Sequence, residues 1–576
     1  MSKEQGSESA VSGSQFIREE EVAEEKEAPK KATRREFVKG ATVGAAAAAG
    51  AGVLASCASP EGEVGLQGPA GPAGPAGPQG EMGEPAIPVI AEKEQTCDLL
   101  VVGGMGWAGL ITALRAAELG ASVIAIDKMP SGDWIGGSMP LSGQFVHVCG
   151  TSPLVLSEAE LREAVAVASE GRPQKPYAEL VDALVTNVKR GCEWLVDKGV
   201  EFDTTLPGIL SCQMQPGKPY GYAWGFLKPG AKGDYRNYGG FKAAKLLESQ
   251  LKEQALYEIL YETKAEKLLT NDKREVVGVL AKDKDGLFEI KAKATILCTG
   301  GFNKNREMAE KYLGRHGEDI PVQCCPGATG DGHVMALELG AAMKNMTYTY
   351  WWPCPAIVEE DEWHDLLGYT EINAIGTQGI IVTESGERYC DESGGRFIYG
   401  NRLFRLGLVK ALMIIDEAIY GMEGVGSIVD ELISLGGTVH KADTIEELAS
   451  KAGVSPYLAA TVSDFNQAID DGTVERLRFP KTSNINKIAA PPFYGVPYIA
   501  GTLFHYGGLQ VNPKSEVLDT DKAPIPGLYA AGELMCGSLA GGAENKAGSY
   551  VGGALAGFCL TFGLLAAENA VERAKA

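Results

Sequence analysis

The chain has 576 residues, 45% of them hydrophobic and 22% charged, with a formal net charge of -22 at pH 7. A chain of that length and apolar share buries more than one core, so two or more domains are expected. The acidic balance, with no Lys/Arg-rich run to offset it, excludes a role built on nucleic-acid phosphates and leaves soluble catalysis as the better-matched class.

Residues 1 to 32 are polar and charge-rich, too poor in apolar side chains to build a core, and are expected to be disordered. Thr33-Arg34-Arg35-Glu36-Phe37-Val38-Lys39 then leads into an Ala/Gly/Val run from Gly40 to Ala55. Paired arginines before a short, weakly apolar run resemble an export signal read by the twin-arginine translocase. A membrane-spanning helix is the alternative, but it needs about 18 strongly apolar residues, and this run is shorter and mostly alanine. Leu54-Ala55-Ser56-Cys57 resembles a lipoprotein signal-peptidase site, with Cys57 becoming the lipidated N-terminus; a chance cysteine after a small residue is the other reading. The expected address is the cell envelope, either periplasmic or lipid-anchored on the outer face of the cytoplasmic membrane. Residues 1–56 are thus set apart as a signal peptide. Glycines at 65, 68, 71, 74, 77, 80 and 83, with prolines at 69, 72, 75, 78 and 85, form a collagen-like Gly-X-Y repeat. Residues 57–91 are read as a stiff stalk rising roughly 3 Å per residue, with trimerisation open.

Folded structure is expected from about Cys97. Asp98 to Val102 is an apolar run of strand length, followed by Gly103-Gly104-Met105-Gly106-Trp107-Ala108-Gly109. A helix is predicted from Leu110 to Leu119, ended by Gly120, and a second strand from Ser122 to Ile126, ended by Asp127. Strand, G-x-G-x-x-G, helix, strand and acid within about 30 residues make a dinucleotide-binding fingerprint. In that reading Gly104 permits the tight turn, Gly106 lets the backbone approach a pyrophosphate, and Gly109 lets the helix pack on the sheet. The helix N-terminus offers N–H groups to the phosphates, and Asp127 accepts hydrogen bonds from ribose hydroxyls. Gly103 makes the glycine loop one residue longer than usual. The 12 cysteines include no C-x-x-C pair and no C-x-x-C-H haem site, and the 6 histidines are dispersed, so no metal site is read. Cys298 and Cys559, in apolar segments, read as buried thiols, and so do the adjacent Cys324 and Cys325.

Five further segments carry a resemblance. They are Ile135-Gly136-Gly137-Ser138 with Ser142-Gly143, Thr299-Gly300-Gly301-Phe302-Asn303 after an apolar strand from Ala294 to Cys298, Thr329-Gly330-Asp331-Gly332, Phe504-His505-Tyr506-Gly507-Gly508, and Gly527-Leu528-Tyr529-Ala530-Ala531-Gly532-Glu533. With the fingerprint, and in this order, the chain resembles the flavoprotein superfamily of soluble fumarate reductases, urocanate reductase and 3-ketosteroid dehydrogenases over about 92 to 576. The resemblance implies an α/β fold in which a Rossmann-type FAD-binding domain (92–345 and 491–576) is interrupted by an α+β capping domain (346–490). Within the latter, Asp443 to Ala449 reads as a capped helix with Asp443 or Thr444 at its N-cap. FAD is implied, without a family-type histidine for covalent attachment. Its contacts carry over onto Gly104, Gly106, Gly109, Asp127, Lys128, Gly136, Gly137, Ser138, Ser142, Gly143, Ala265, Thr299, Gly300, Asp331, Tyr506, Gly507, Glu533, Ala554 and Leu555.

In the superfamily a substrate lies between flavin and cap, takes hydride from flavin N5 on one carbon of an activated C=C, and is protonated on the other. Arg388-Tyr389-Cys390-Asp391-Glu392 followed by Ser393-Gly394-Gly395-Arg396 places Arg396 where the fumarate reductase branch has its proton-donating arginine. An ion pair of Arg396 with Glu392 or Asp391 is the alternative. Glu371 matches the relay glutamate, and His505 with Thr370 would orient the acceptor oxygen. The departures concern the substrate's carboxylates. Trp352 stands in place of a clamping histidine, Ala374 in place of an arginine, and the region of a second clamping arginine holds only Lys546. Trp351, Trp352, Lys546 and Tyr550 are therefore expected at the pocket. Tyr350 to Trp352 suggest a larger, flatter or apolar substrate, and serve equally well as packing between cap and sheet. The implied activity is reduction of a C=C conjugated to a carbonyl or carboxylate, with fumarate disfavoured. Electrons would come from an external donor such as a membrane or exported cytochrome. The alternatives are dehydrogenation beside a ketone, using tyrosines such as 350, 506 or 550, and a non-catalytic flavin electron carrier.

Overall fold

A computed structural model of the chain describes residues 90–132, 135–139, 158–159, 162, 175–200, 239–314, 322, 324–347, 349–355, 372–408, 410–434, 436–535 and 554–576. Strand β1 (Ile90–Val102) starts ahead of the apolar run that marks it, and Leu99, Leu100 and Val101 at its far end are fully buried. Helix α1 (Trp107–Glu118) begins three residues before the expected Leu110. The chain is still extended at Gly106 (φ -66°, ψ 163°), and Trp107 already turns into the helix. Next come β2 (Val123–Ile126), α2 (Lys175–Asp197), α3 (Gly239–Lys252), β3 (Tyr257–Leu260), β4 (Lys264–Thr270), β5 (Val276–Asp283) and β6 (Gly286–Leu297). Helix α4 (Asp331–Glu338) and the short β7 (Met343–Lys344) close this stretch.

A second group follows: β8 (Thr349–Pro355), α5 (Ile372–Gln378), β9 (Ile380–Val382), α6 (Arg396–Arg405), β10 (Lys410–Asp416), β11 (His440–Ala442) and β12 (Phe493–His505). Helices Val425–Ser434, Ile445–Ala452 and Leu458–Asp470 lie between β10 and β12 in the chain. The N-cap of the middle one is Thr444, not Asp443. Its side chain accepts the Glu447 amide at 3.1 Å while the Glu447 carboxylate accepts the amide of Asp443, the residue before the cap, at 3.1 Å, a close relative of the capping box. The chain ends with β13 (Gly508–Leu509), β14 (Glu516–Leu518), β15 (Pro524–Ala530) and α7 (Ala554–Lys575).

The strands form two large sheets. In the first, β15, β6, β1, β2 and β3 run parallel in that order, with β14 antiparallel at one edge and the β4–β5 hairpin antiparallel on β6. Both faces of such a sheet are covered at its centre, which is why β2 and the far end of β1 read as unbroken apolar runs. The second sheet is antiparallel in the order β11-β12-β10-β9, with β8 on β12, and its longest strand, β12, lies wholly after residue 490. Each sheet has its own core, one around Leu100, Ile111 and Phe558, the other around Ile381, Met413 and Phe465. Helix α7 is the one helix among the described residues long and apolar enough to cross a membrane, and it lies mostly buried against α1, α2 and β6.

Candidate functional site

Because β1, β2, β6 and β15 are parallel, the loops after them gather at one edge, where open α/β sheets take their ligands. The amides of Gly103 and Gly104 both donate to Ile126 O, at 2.9 and 3.0 Å. The sharp turn belongs to Gly103 (φ +79°), which corrects the role expected of Gly104. Gly104 is needed instead for space: a Cβ there would stand 2.6 Å from that of Ala125. Gly109 has the tightest fit, its Cβ falling 2.2 Å from Gly103 O. Gly106 differs. Its nearest neighbours would be 3.4 and 3.5 Å from a Cβ, so the protein itself leaves room over this residue. The helix behind it has no side-chain cap and no acid in its first turn. Gly136 donates to Met105 O at 2.6 Å, and the Cβ of Gly137 would meet Gly106 Cα at 3.4 Å, which brings this second glycine pair over the first.

Asp127 is buried. Its carboxylate accepts the Met105 amide at 3.1 Å and the Met129 amide at 3.0 Å, bracing the glycine loop from behind. Burial raises its pKa, with those amides and Lys128 opposing. Lys128 and Asp331 bind each other at 2.7 Å, and Thr329 joins them, tying the loop after β2 to the start of α4. Ser138 accepts the Cys325 amide at 3.0 Å, Ala265 is buried in β4, and Leu555 is half-buried near the start of α7, which Ala554 opens.

The loops after β6 and β15 meet the return of β12. Glu533 is buried and accepts the His505 amide at 3.2 Å, and Gly301 is small because a Cβ would lie 2.2 Å from Glu533 Oε1. Burial raises the Glu533 pKa to about 7, against the His505 and Gly301 amides. The His505 imidazole is 1% exposed, stacks on Phe302 with centroids 3.8 Å apart, and has no hydrogen-bond partner on either nitrogen. Burial, with repulsion from His333, lowers its pKa to about 3 and keeps it neutral. Thr299 Oγ1 and both side-chain polar atoms of Asn303 are likewise buried and unpaired. Gly300 (φ +70°) makes the turn between them. Tyr506 is buried edge-on to Phe504. Gly507 is required by the chain crossing between the two sheets, since a Cβ would sit 2.4 Å from Asn345 O. His333, fully buried and edge-on to Phe302 at 5.5 Å, belongs to this cluster although a lone histidine in a glycine-rich helix start carried no signal for it.

In the second sheet, β8 sets Trp351 opposite Thr502 and Trp352 opposite Gly501, with Thr349 opposite His505. Arg396 opens α6 directly after Gly395 (φ +71°). The two carboxylates weighed as its ion-pair partners are already engaged. Arg388 holds Glu392 with bonds of 2.9 and 2.5 Å, both side chains buried, and Glu392 also accepts the Ile381 amide at 3.0 Å. Asp391 accepts from the Ser393 amide and from Thr482. Sequence reasoning missed the Arg388–Glu392 pair, four residues apart in a turn where no helical period marks it, and the buried Lys481, whose bonds reach about a hundred residues back along the chain. Thr370, Glu371, Ser142, Gly143, Lys546 and Tyr550 lie outside the described residues, and Arg396, Trp351 and Trp352 are described by their backbone alone.

A parallel sheet with an open glycine loop, an acid behind it and buried unpaired polar atoms at the same edge defines a dinucleotide-binding flavoprotein. The residues fit FAD: Gly106 leaves space where a pyrophosphate would lie, and Thr299, Asn303 and His505 offer polar atoms the protein does not satisfy. The family described as FAD binding domain matches residues 98–551. The chain belongs to that family, and FAD is its cofactor. It is 27% identical over 497 residues to the cytochrome-type fumarate reductase of Shewanella frigidimarina, covering 83% of this chain and 78% of that one. It is 28% identical over 468 residues to urocanate reductase of Eggerthella lenta, covering 78% and 71%. The open conformation of a flavocytochrome c3 fumarate reductase superposes with a TM-score of 0.63 at 26% identity, covering 83% of this chain and 79% of that one. The protein is thus an FAD-dependent oxidoreductase of the superfamily its motifs resemble.

Proposed function

We propose that this protein reduces a C=C bond conjugated to a carbonyl or carboxylate of a small molecule other than fumarate, held between the loops of the first sheet and the second sheet. The observation that carries this reading is His505: a neutral, buried imidazole without a partner, delivered by β12 to the edge where Glu533, Gly301 and Thr299 stand. The relatives named fumarate reductase and urocanate reductase act on such bonds by their names.

FAD, bound non-covalently, supplies the hydride at flavin N5. Gly106 and the start of α1 would hold its pyrophosphate, Asp127 its ribose, and Thr299, Glu533 and the 505–507 turn its flavin end. His505 donates a neutral N–H to the acceptor oxygen, a role it shares with Thr370. Arg396 gives the proton; because arginine keeps its proton below a pKa of about 12, Glu371 is needed to reload it. A dicarboxylate needs two fixed clamps, and Trp352, Ala374 and Lys546 stand where cationic or imidazole clamps are expected, which argues for a larger, flatter enoate or enone. Electrons enter from an external donor of cytochrome type, and the resemblance of Arg34-Arg35 and Cys57 to export and lipidation signals supports a location in the cell envelope. Tyr506, buried next to His505, keeps the reverse reaction, dehydrogenation beside a ketone, as the second reading.

Arg396→Lys separates the two. With a reduced viologen as donor, the variant is expected to lose ene reduction by more than about 100-fold, the scale of a lost general acid, with its flavin content intact. Activity near wild type would remove Arg396 from the reaction and favour a tyrosine-based dehydrogenase.

A further inference from the structure

Arg396, the proposed proton donor, is the first residue of α6, and α5 begins one residue after Glu371 in the sequence. The far end of α5 and the turn before α6 are tied to one short segment, Lys481 to Asn486. Lys481 is 2% exposed, and its ammonium donates to Thr377 O at 2.9 Å and to Gly379 O. The Asn486 amide donates to Gln378 O at 3.1 Å and to its side-chain oxygen at 3.0 Å. On the other side, the Thr482 hydroxyl donates to Asp391 at 2.8 Å, and the Thr482 and Ser483 amides donate to Ser393 Oγ at 3.1 and 2.8 Å. Ser393 Oγ donates back to Ser483 O at 2.8 Å. A buried lysine that caps a helix end completes carbonyls that would otherwise lack partners, and it holds that helix to whatever carries the lysine.

We infer that residues 481–486 form a strap that fixes the spacing between α5 and the α6 turn, with Lys481 as a positioning residue for the Glu371–Arg396 proton path. This rests on the reading of Arg396 above. Burial lowers the Lys481 pKa to about 8, with Arg388 pushing the same way and Glu392 opposing, so the ammonium is held there by its geometry rather than by a dedicated carboxylate.

The test compares Lys481→Met, Lys481→Arg, Thr482→Val and Asn486→Ala in the full-length FAD-loaded enzyme, with Lys451→Met, on the exposed side of the second sheet, as a control. Lys481→Met is expected to lower kcat about 10- to 100-fold, the scale of a small misplacement of catalytic groups. KM and flavin absorbance should be unchanged, and amide hydrogen exchange should quicken over 379–396. Lys481→Arg should recover most of the loss, and Thr482→Val and Asn486→Ala should each lower kcat several-fold with KM unchanged, which keeps the test decisive if Lys481→Met fails to fold. If Arg396→Lys abolishes turnover while these variants keep kcat within about twofold, the strap is wrong and the proton path stands. If Arg396→Lys remains active, the proton path is wrong whatever the strap variants do.

Discussion

Two tight turns lead into helices at this site, and they are held in opposite ways. The loop 103–109 before α1 is held by main chain: its amides bond to Ile126 O, and its glycines sit against Ala125, Cys298 and the loop itself. Two side chains also reach it from neighbouring segments: the Asp127 carboxylate accepts the Met105 amide, and the Tyr261 hydroxyl donates to Met105 Sδ at 3.6 Å. The turn 388–396 before α6 is held by side chains: Arg388 on Glu392, Asp391 on Thr482, and Ser393 on Ser483. The first arrangement leaves backbone N–H groups at the start of α1, with Gly106 the loop glycine at which a Cβ would meet only ordinary contacts, suited to phosphate. The second ends on the backbone of Arg396, the first residue of α6. A turn built from backbone presents backbone; one anchored by charges can hold a single functional group in place.

Breaking the second turn is expected to have the largest effect. Arg388→Met strands Glu392 in a buried site, and loss of one partner of such a pair costs about 3–5 kcal/mol. Urea unfolding would measure this, and adding Glu392→Leu should return part of the stability. A single-variant loss below about 1 kcal/mol, little more than an exposed pair is worth, would end the distinction between the turns.

Gly109→Ala comes next, because its Cβ would lie 2.2 Å from Gly103 O. Forcing the loop apart should cost about 1–3 kcal/mol and yield protein with little bound flavin. Gly106→Ala sharpens the contrast: the apoprotein should keep its thermal midpoint while flavin affinity falls, as measured by titration. An equal drop in apoprotein stability for both variants would contradict the difference in fit between Gly109 and Gly106.

The pH dependence of apoprotein stability is a smaller effect with two signs. Glu533 has its pKa raised by burial from 4.5 to about 7, so it contributes stability below pH 4.5 that is lost as the pH rises through 7. His505, lowered from 6.5 to about 3, contributes stability above pH 6.5 that is lost as the pH falls through 3. Glu533→Gln should therefore flatten the decline between pH 4.5 and 7, and chemical denaturation across that range would show it. The smallest effect is Thr444→Ala, expected to cost about 1 kcal/mol through loss of a cap with turnover unaffected.

The same contrast explains what could be read from residues alone. The glycine fingerprint, Asp127, the strand before Thr299 and the loop around Glu533 were legible because each is a local pattern whose spacing matches its geometry. Even there the positive φ fell on Gly103, since the loop's extra glycine, not the first of the triplet, takes the turn after β1. His333 beside Phe302, the Arg388–Glu392 pair, and Lys481 under α5 were not legible. The bonds of Lys481 reach about a hundred residues back along the chain, to Thr377 and Gly379, and no periodicity signals them.

The most direct test of the account is stopped-flow reoxidation of the dithionite-reduced enzyme, without oxygen, against enoates, aryl acrylates and steroid enones. Rapid reoxidation by at least one conjugated C=C compound, with fumarate slow and Arg396→Lys unreactive, is the predicted result. Reoxidation by none of them, but by a redox protein, would show a flavin electron carrier and contradict it.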